Sequence, residues 1–392
     1  MSEYVCMKLK QHVGPPCEPI VQVGEQVKKG QLIATCEWTN LHASVYGTVT
    51  EVSSEGITVR PDAEQPEEYV KIKETDSYLE AIQEAGVVGA GGAGFPTFKK
   101  YATKLNGGCV IMNAAECEPV LRHNMHLIKQ EPELLIRGLK YAMELAGAAK
   151  GYVAIKAKNT QELIAIAKAC KHEADIEVKY LPDLYPSGDE RAIVREIIGV
   201  ILRPGQLPLE ANAVISNVET LKRIAEAIEL RKPVITKDFT IGGRLQDTQG
   251  ECSVYLDEPI GMPIKKYIDE CGGYVEPHGE ILIGGPFTGS SGREDAVITK
   301  VTSGILVAMP YPSDHRKFGI LACECGAGEA RLTEIVEGMG GTVVAEAKCK
   351  RMVEVGGRFR CDEPGVCPGQ TERVLELRAQ GAEVIVAGAC ED

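Results

Sequence analysis

Gly89-Ala90-Gly91-Gly92-Ala93-Gly94-Phe95-Pro96, with Thr97, Lys99 and Lys100 just beyond, is the stretch from which the rest of the chain is read. Closely spaced glycines let backbone N–H groups approach phosphate oxygens, and a neighbouring lysine supplies charge. A plain turn has the same composition, so the downstream pattern matters. Residues 109–112, 152–156 and 176–181 read as strands; 133–146 and 161–171 read as helices, with apolar residues three and four apart. Ser77 and Glu80 form a capping box ahead of a further helix. This alternation predicts a parallel sheet, whose ligands gather at the carboxyl ends of its strands.

Three segments fall at those ends: Asn113-Ala114-Ala115-Glu116-Cys117-Glu118-Pro119, Tyr185-Pro186-Ser187-Gly188-Asp189-Glu190 and Asn217-Val218-Glu219-Thr220. Together they offer amide, carboxylate and phenol groups to one crevice. Helix capping accounts for any one of them, but poorly for all three.

Composition narrows the partners. A net charge of −13 and 5% aromatic residues disfavour nucleic acid, which needs a basic face and stacking surfaces. No apolar run is long enough to span a membrane, so no membrane insertion is expected. Met1-Ser2-Glu3-Tyr4-Val5 does not start a signal peptide, and a cytoplasmic location is the expectation. At 392 residues the chain calls for several domains.

Around the crevice domain, residues 1–75 alternate apolar and polar positions with glycine at the corners, as in Val21 to Gly30 and Leu41 to Thr50. This region is similar to the biotinyl/lipoyl type of β hammerhead. The place of the modified lysine holds His42-Ala43-Ser44, which argues against a carrier role. Residues 62–74 read as an acidic linker. Residues 233–310 read as a small α+β module, with strands at 238–241 and 280–283 and a helix at 262–271. The last part returns to α/β order, with strands at 319–322, 342–345 and 383–387 and helices at 330–337 and 371–379.

The motifs G-x-G-G-A-G-F-P-T, N-x-x-E-x-E-P, Y-x-x-G-x-E and N-V-x-T occur in this order. In them the chain resembles the NADH-binding flavoprotein of respiratory complex I, and more closely the RnfC component of the Rnf ferredoxin–NAD oxidoreductases. The likeness covers roughly residues 5–310, including Gln11-His12, His42-Ala43 and Gly284-Gly285-Pro286. It implies an α/β multidomain chain: a β-rich barrel-sandwich hybrid (1–75), a Rossmann-like FMN/NADH domain (76–232), a soluble-ligand-binding (SLBB) β-grasp module (233–310) and a small α/β cysteine-rich domain (311–392).

Carried over residue by residue, the resemblance puts the FMN phosphate on Gly89, Gly91, Gly92 and Lys100, with Gly94 and Phe95 completing the loop. Asn113, Glu116 and Glu118 would line the isoalloxazine and the NADH site. Tyr185, Gly188 and Glu190 would close over the ring, with Asn217 and Thr220 at its ribityl side. Ala90 replaces an arginine of some relatives and Ala115 an acidic residue of complex I. Both departures bear on NADH rather than on flavin. Hydride transfer belongs to the cofactors, so no catalytic side chain is nominated. His12, His123 and His126 are read as structural.

Of fourteen cysteines, eight are scattered and read as core residues. Six crowd the end: Cys323, Cys325, Cys349, Cys361, Cys367 and Cys390. The C-x-x-C-x-x-C ending of the relatives is absent. If the last strands are parallel, at least four of these thiols meet at one edge, and Cys325, ahead of a helix, is expected to have a lowered pKa. Cys323-Glu324-Cys325-Gly326, Cys367-Pro368-Gly369-Gln370 and Ala389-Cys390 resemble the N-terminal region of HdrA, a component of heterodisulfide reductase. That likeness implies an iron–sulfur cluster on some four cysteines, with Cys325, Cys349, Cys367 and Cys390 the preferred set. A thiol–disulfide relay and structural zinc stay open.

A body of RnfC type with this ending resembles the electron-transfer proteins associated with D-proline reductase. The resemblance implies flow from NADH to FMN, then to a cysteine-based centre, then to a partner reductase. The rival readings are a component of a membrane Rnf-type complex and a scaffold that has lost its flavin. Oligomeric state is not legible.

Overall fold

The computed structural model describes residues 4–248 and 251–388. Seven short strands occupy the start: β1 (Val5–Lys8), β2 (Glu18–Pro19), β3 (Gln26–Val27), β4 (Leu32–Thr35), β5 (Asn40–His42), β6 (Gly47–Val52) and β7 (Gly56–Pro61). They form two antiparallel sheets, β1-β7-β6-β3 and β2-β4-β5. The linker that follows carries no regular element, yet it is strapped down. Val70 N–H donates to Lys29 O at 2.8 Å and Ile72 N–H to Arg231 O at 3.0 Å, with Ile72 buried.

The central region begins with α1 (Tyr78–Glu84), capped by Ser77, whose hydroxyl accepts from Glu80 N–H. Then come α2 (Thr97–Tyr101), β8 (Cys109–Ala114), α3 (His123–Gln130), α4 (Pro132–Ala146), β9 (Lys150–Lys156), α5 (Thr160–Ala169), β10 (Ile176–Leu181), α6 (Glu190–Ile198), β11 (Ala213–Asn217) and α7 (Val218–Glu229). All four strands are parallel, in the order β10-β9-β8-β11. Val110, Met112 and Val153 face a core with Leu135, Leu139 and Leu221 of the helices, while Ile111 and Ala154 face Ile193 and Val194 of α6. The chain leaves β8 toward β9 and later returns to its other side, so β8 and β11 flank a topological switch point.

The third region holds β12 (Thr236–Gly243), β13 (Cys252–Pro259), α8 (Ile264–Glu270), β14 (Ile281–Ile283), β15 (Ser290–Gly292) and β16 (Gly304–Val307). Its sheet order is β13-β12-β16-β14-β15. Strands β13, β15 and β16 were not anticipated. The hydrophobic core of this region is continuous with that of the first: Val5, Ile33 and Ile57 pack in one cluster with Phe239, Tyr267 and Ile305. Two stretches nearly 200 residues apart in sequence therefore bury each other's apolar faces.

The last region comprises β17 (Lys317–Ala322), α9 (Glu329–Gly338), β18 (Thr342–Lys348), β19 (Met352–Val355), β20 (Arg358–Cys361), α10 (Thr371–Ala379) and β21 (Val384–Ala387). Strands β18-β17-β21 are parallel, as the thiol argument required. The hairpin β19–β20 has no counterpart among the expected elements, and Cys361 ends its second strand, paired with Met352.

Candidate cofactor cleft and cysteine cavity

The glycine stretch is a tight loop closed at its base, where Val88 bridges Pro96 and Gly89 N–H donates to Phe95 O at 2.9 Å. Gly92 takes φ +143°, a conformation L-residues rarely adopt. A Cβ on Gly91 would come 3.1 Å from Asn217 Nδ2, so the missing side chain lets the loop lie directly on α7. Thr220 Oγ1, one turn along that helix, accepts from Ala90 N–H at 3.0 Å.

Loop, switch point and helix end enclose an open cleft of about 190 Å³. Gly89, Gly91, Gly92, Gly94, Phe95, Lys100, Asn113, Gly188, Glu190, Asn217 and Thr220 line it with Thr97 of the same stretch, together with Ile215 and Ser216, which sequence reasoning did not single out. Asn113 and Asn217 are register partners at the ends of β8 and β11. Asn113 Nδ2 reaches Gly188 O at 3.0 Å and draws the 185–190 loop over the strand ends.

The residues present suit a phosphate-bearing flavin. Asn217 caps α7, so the positive end of a twelve-residue helix opens on the cleft. Lys100 stands beside it, paired with Glu190 Oε1 at 2.8 Å and donating to Ile215 O. The Thr97 hydroxyl is buried with no hydrogen-bond partner among the described residues, a cost that a ligand oxygen would remove.

Three expected wall residues lie elsewhere. Glu116 Oε2 accepts from Asn124 N–H at 3.0 Å and serves the start of α3. Glu118 accepts from Phe287 N–H at 3.0 Å and from the Thr288 hydroxyl, which ties the Gly284–Pro286 turn to the central region. Tyr185 points away from the cleft: its ring packs edge-on against Phe287 at 4.6 Å and its hydroxyl donates to Cys325 O.

That contact leads to a second, smaller cavity of about 30 Å³, lined by Tyr185, Pro186, Leu321, Cys323, Cys325, Cys349, Cys367 and Gln370. Cys323 and Cys325 follow β17 and Cys349 follows β18, so parallel strand ends gather them. Cys361 lies behind, in a hydrogen bond with Cys325. Cys390 lies outside the described residues. Among those described, no three of these sulfurs fall within 4.8 Å of one another.

The expected low pKa of Cys325 is reversed. Its hydrogen bond to Cys361 and burial push this thiol up, whereas Cys361, on the receiving end and near Arg191, is held below the usual thiol range. Cys349 is raised by burial, against a 3.1 Å bond from Gln370 Nε2. The cavity is pinned to α6: Arg191 donates to Cys361 O at 2.6 Å and to Glu324 at 3.1 Å, and Arg195 donates to Pro364 O at 2.8 Å. Arginines inside a helix gave no signal of this in sequence.

Residues 82–226 match the family model described as the Nuo51 FMN-binding domain, and residues 1–73 that of the RnfC barrel sandwich hybrid domain. In Acetobacterium woodii, the C component of the Na+-translocating ferredoxin:NAD+ oxidoreductase complex is 32% identical over 78% of this chain and 73% of its own length. The chain belongs to this RnfC family. The proton-translocating counterpart in Clostridium ljungdahlii, also 32% identical, matches over 78% of this chain and 71% of its own. The cobalamin reductase PduS of Salmonella typhimurium is 35% identical over 61% of this chain and 51% of its own. This RnfC relative is therefore an oxidoreductase built on an FMN-binding domain. Among the described residues, no helix is long and apolar enough to cross a membrane.

Proposed function

We propose that the chain is an electron-transfer flavoprotein that takes electrons from NADH at the glycine-loop cleft and passes them through FMN to the cysteine cavity, then to a partner reductase. The observation that carries this reading is one six-residue loop. Its first residues, Tyr185 and Pro186, line the cysteine cavity, while Gly188 and Glu190 line the cleft. Entry and exit are thus neighbours across a single turn of chain.

When bound, FMN accepts two electrons as a hydride and hands them on singly, and a cysteine-held cluster accepts them singly. The protein's part is to bind, orient and insulate. Lys100, the N-terminus of α7 and Thr97 hold the phosphate end, and Asn113 fixes the loop that separates the two cavities. Glu118 keeps the 284–288 turn against that loop. Cys323, Cys325, Cys349 and Cys367, with Cys361 and Cys390, supply the thiolates of the distal centre. Cys323 and Cys325, together on the cavity wall, support a second version, in which a dithiol without metal does this work.

The finer layout proposed is the barrel-sandwich hybrid at 1–75, the FMN/NADH domain at 76–232, the SLBB β-grasp module at 233–310 and the cysteine-rich domain at 311–392, in a cytoplasmic protein. D-proline reductase is the partner suggested by the resemblance of the ending.

Anaerobic purification of the full chain with flavin, iron and acid-labile sulfide assays tests the proposal. About one FMN per chain, bleached on adding NADH, is expected. A colourless protein, or a flavin that NADH leaves oxidised, ends this reading. Iron with sulfide selects the cluster; neither, with two extra titratable thiols after reduction, selects the dithiol.

A further inference from the structure

From a cluster on the opposite side of the glycine loop, we infer that His12, Cys17 and Cys36 form a binding site for a thiophilic divalent cation of the zinc class. His12 Nε2 stands 3.4 Å from Cys36 Sγ, and Cys36 Sγ stands 3.4 Å from Cys17 Sγ. The three ligand atoms all lie within 4.8 Å of one another, and both His12 and Cys17 are buried. Zn–S bonds of about 2.3 Å and Zn–N bonds of about 2.0 Å give tetrahedron edges of roughly 3.5–3.8 Å. The observed separations are close to those edges before any ion draws the ligands in. Two thiolates with an imidazole are a soft donor set that selects zinc over magnesium or calcium.

The backbone builds this site. Glu18 and Thr35 are register partners of β2 and β4, so Cys17 and Cys36 face each other one step beyond the ladder. The turn after Cys36 closes with its N–H on Thr39 O at 3.0 Å, and that carbonyl lies 3.5 Å from each sulfur. Lys300, the nearby buried cation, donates to Asn40 O and Gly86 O, both at 2.7 Å; among the described residues no hydrogen bond joins it to either sulfur. A disulfide would use the two sulfurs and leave the imidazole unexplained.

The site clamps the flavin loop. Val13 N–H donates to Gly94 O at 3.2 Å, and a Cβ on Gly94 would meet His12 Cα at 3.0 Å. A metal at His12 therefore fixes the surface against which the glycine loop is laid.

The test uses the full chain carrying Cys325→Ser and Cys349→Ser, so that the distal cysteines do not compete. Metal-stripped protein is titrated anaerobically with Co2+ and read by visible spectroscopy, and zinc is measured in the protein as purified. Intense thiolate–cobalt bands and about one zinc per chain are expected. Adding Cys17→Ser lowers zinc retention at least tenfold and removes the bands. His12→Asn, a milder change should the serine variant misfold, shifts the bands and weakens cobalt binding at least tenfold. Absence of bands in the parent, bands unmoved by both substitutions, or a Cys17–Cys36 disulfide in the metal-free protein as purified overturns the inference.

Discussion

The hydroxyl of Tyr185 donates to the backbone carbonyl of Cys325. This bond joins the loop over the flavin cleft to the first turn after β17, and it places a buried phenol between the two cavities. Burial and the nearby Glu118 push the Tyr185 pKa far up, so the phenol stays protonated and remains a donor at any working pH.

Tyr185→Phe keeps the ring against Phe287 and deletes only the donor. Losing one such bond costs about 0.5–1.5 kcal/mol. The expected result is unchanged flavin content with roughly two- to tenfold faster proteolysis around residues 311–316. Equal proteolysis rates for variant and parent would show that this bond does not hold the last region in place.

Gly91→Val forces a side chain onto Asn217, and Gly92→Ala forces an L-residue into φ +143°. Each should weaken FMN binding at least tenfold, about 1.4 kcal/mol, as measured by quenching of FMN fluorescence. Gly107→Ala, with open space at the added Cβ but also at positive φ, is the control for backbone strain remote from the loop. If it matches them, strain rather than contact with the cofactor is responsible.

Asp238, fully buried, accepts from Lys222 and Arg223 at 3.4 Å each and from Asp257 N–H at 2.7 Å. These cations hold its carboxyl below the usual range despite burial. Lys222 and Arg223 keep Asp257 at 2.7 and 2.9 Å, so Asp238→Ala removes one of several carboxylates and leaves Asp257 N–H without its acceptor, and should cost about 1–3 kcal/mol in urea unfolding. The exposed Arg137–Glu229 pair is a contrast, and Arg137→Met should change stability by less than about 1 kcal/mol. Comparable losses for the two would refute the assigned importance of burial.

His42 is buried, and its Nδ1 has no hydrogen-bond partner among the described residues. Burial, then Lys300, lowers its pKa to about 3 from 6.5. The unfolded chain takes up this proton near pH 6.5 while the folded one refuses it, so stability is full above that pH. It falls by up to about 1.4 kcal/mol per pH unit as pH drops toward 3. His42→Gln should flatten this part of the stability–pH curve. An unchanged slope between pH 6.5 and 4.5 would mean that other groups, such as the similarly buried His123, carry the acid sensitivity.

The sequence by itself determined the parts whose cause is local. Glycines that release the backbone, a serine cap at Ser77 and apolar residues three apart in α4 act over a few positions, so the loop, the helix starts and the parallel order were legible. Strand ends in such a sheet open on one crevice, which marked three segments, and the resemblance carried by their motifs named eleven of the residues that line the cleft, from Gly89 to Thr220. What only the tertiary structure decided depends on surfaces that meet across long separations. Periodicity could place Glu118 and Tyr185 at strand ends but could not aim them, and they serve Phe287 and Cys325 rather than the cleft. Cys17 and Cys36 read as inert core residues until a ladder placed them beside His12. Side-chain direction and ligand convergence are properties of packing, and packing is shared between segments that the chain order keeps apart.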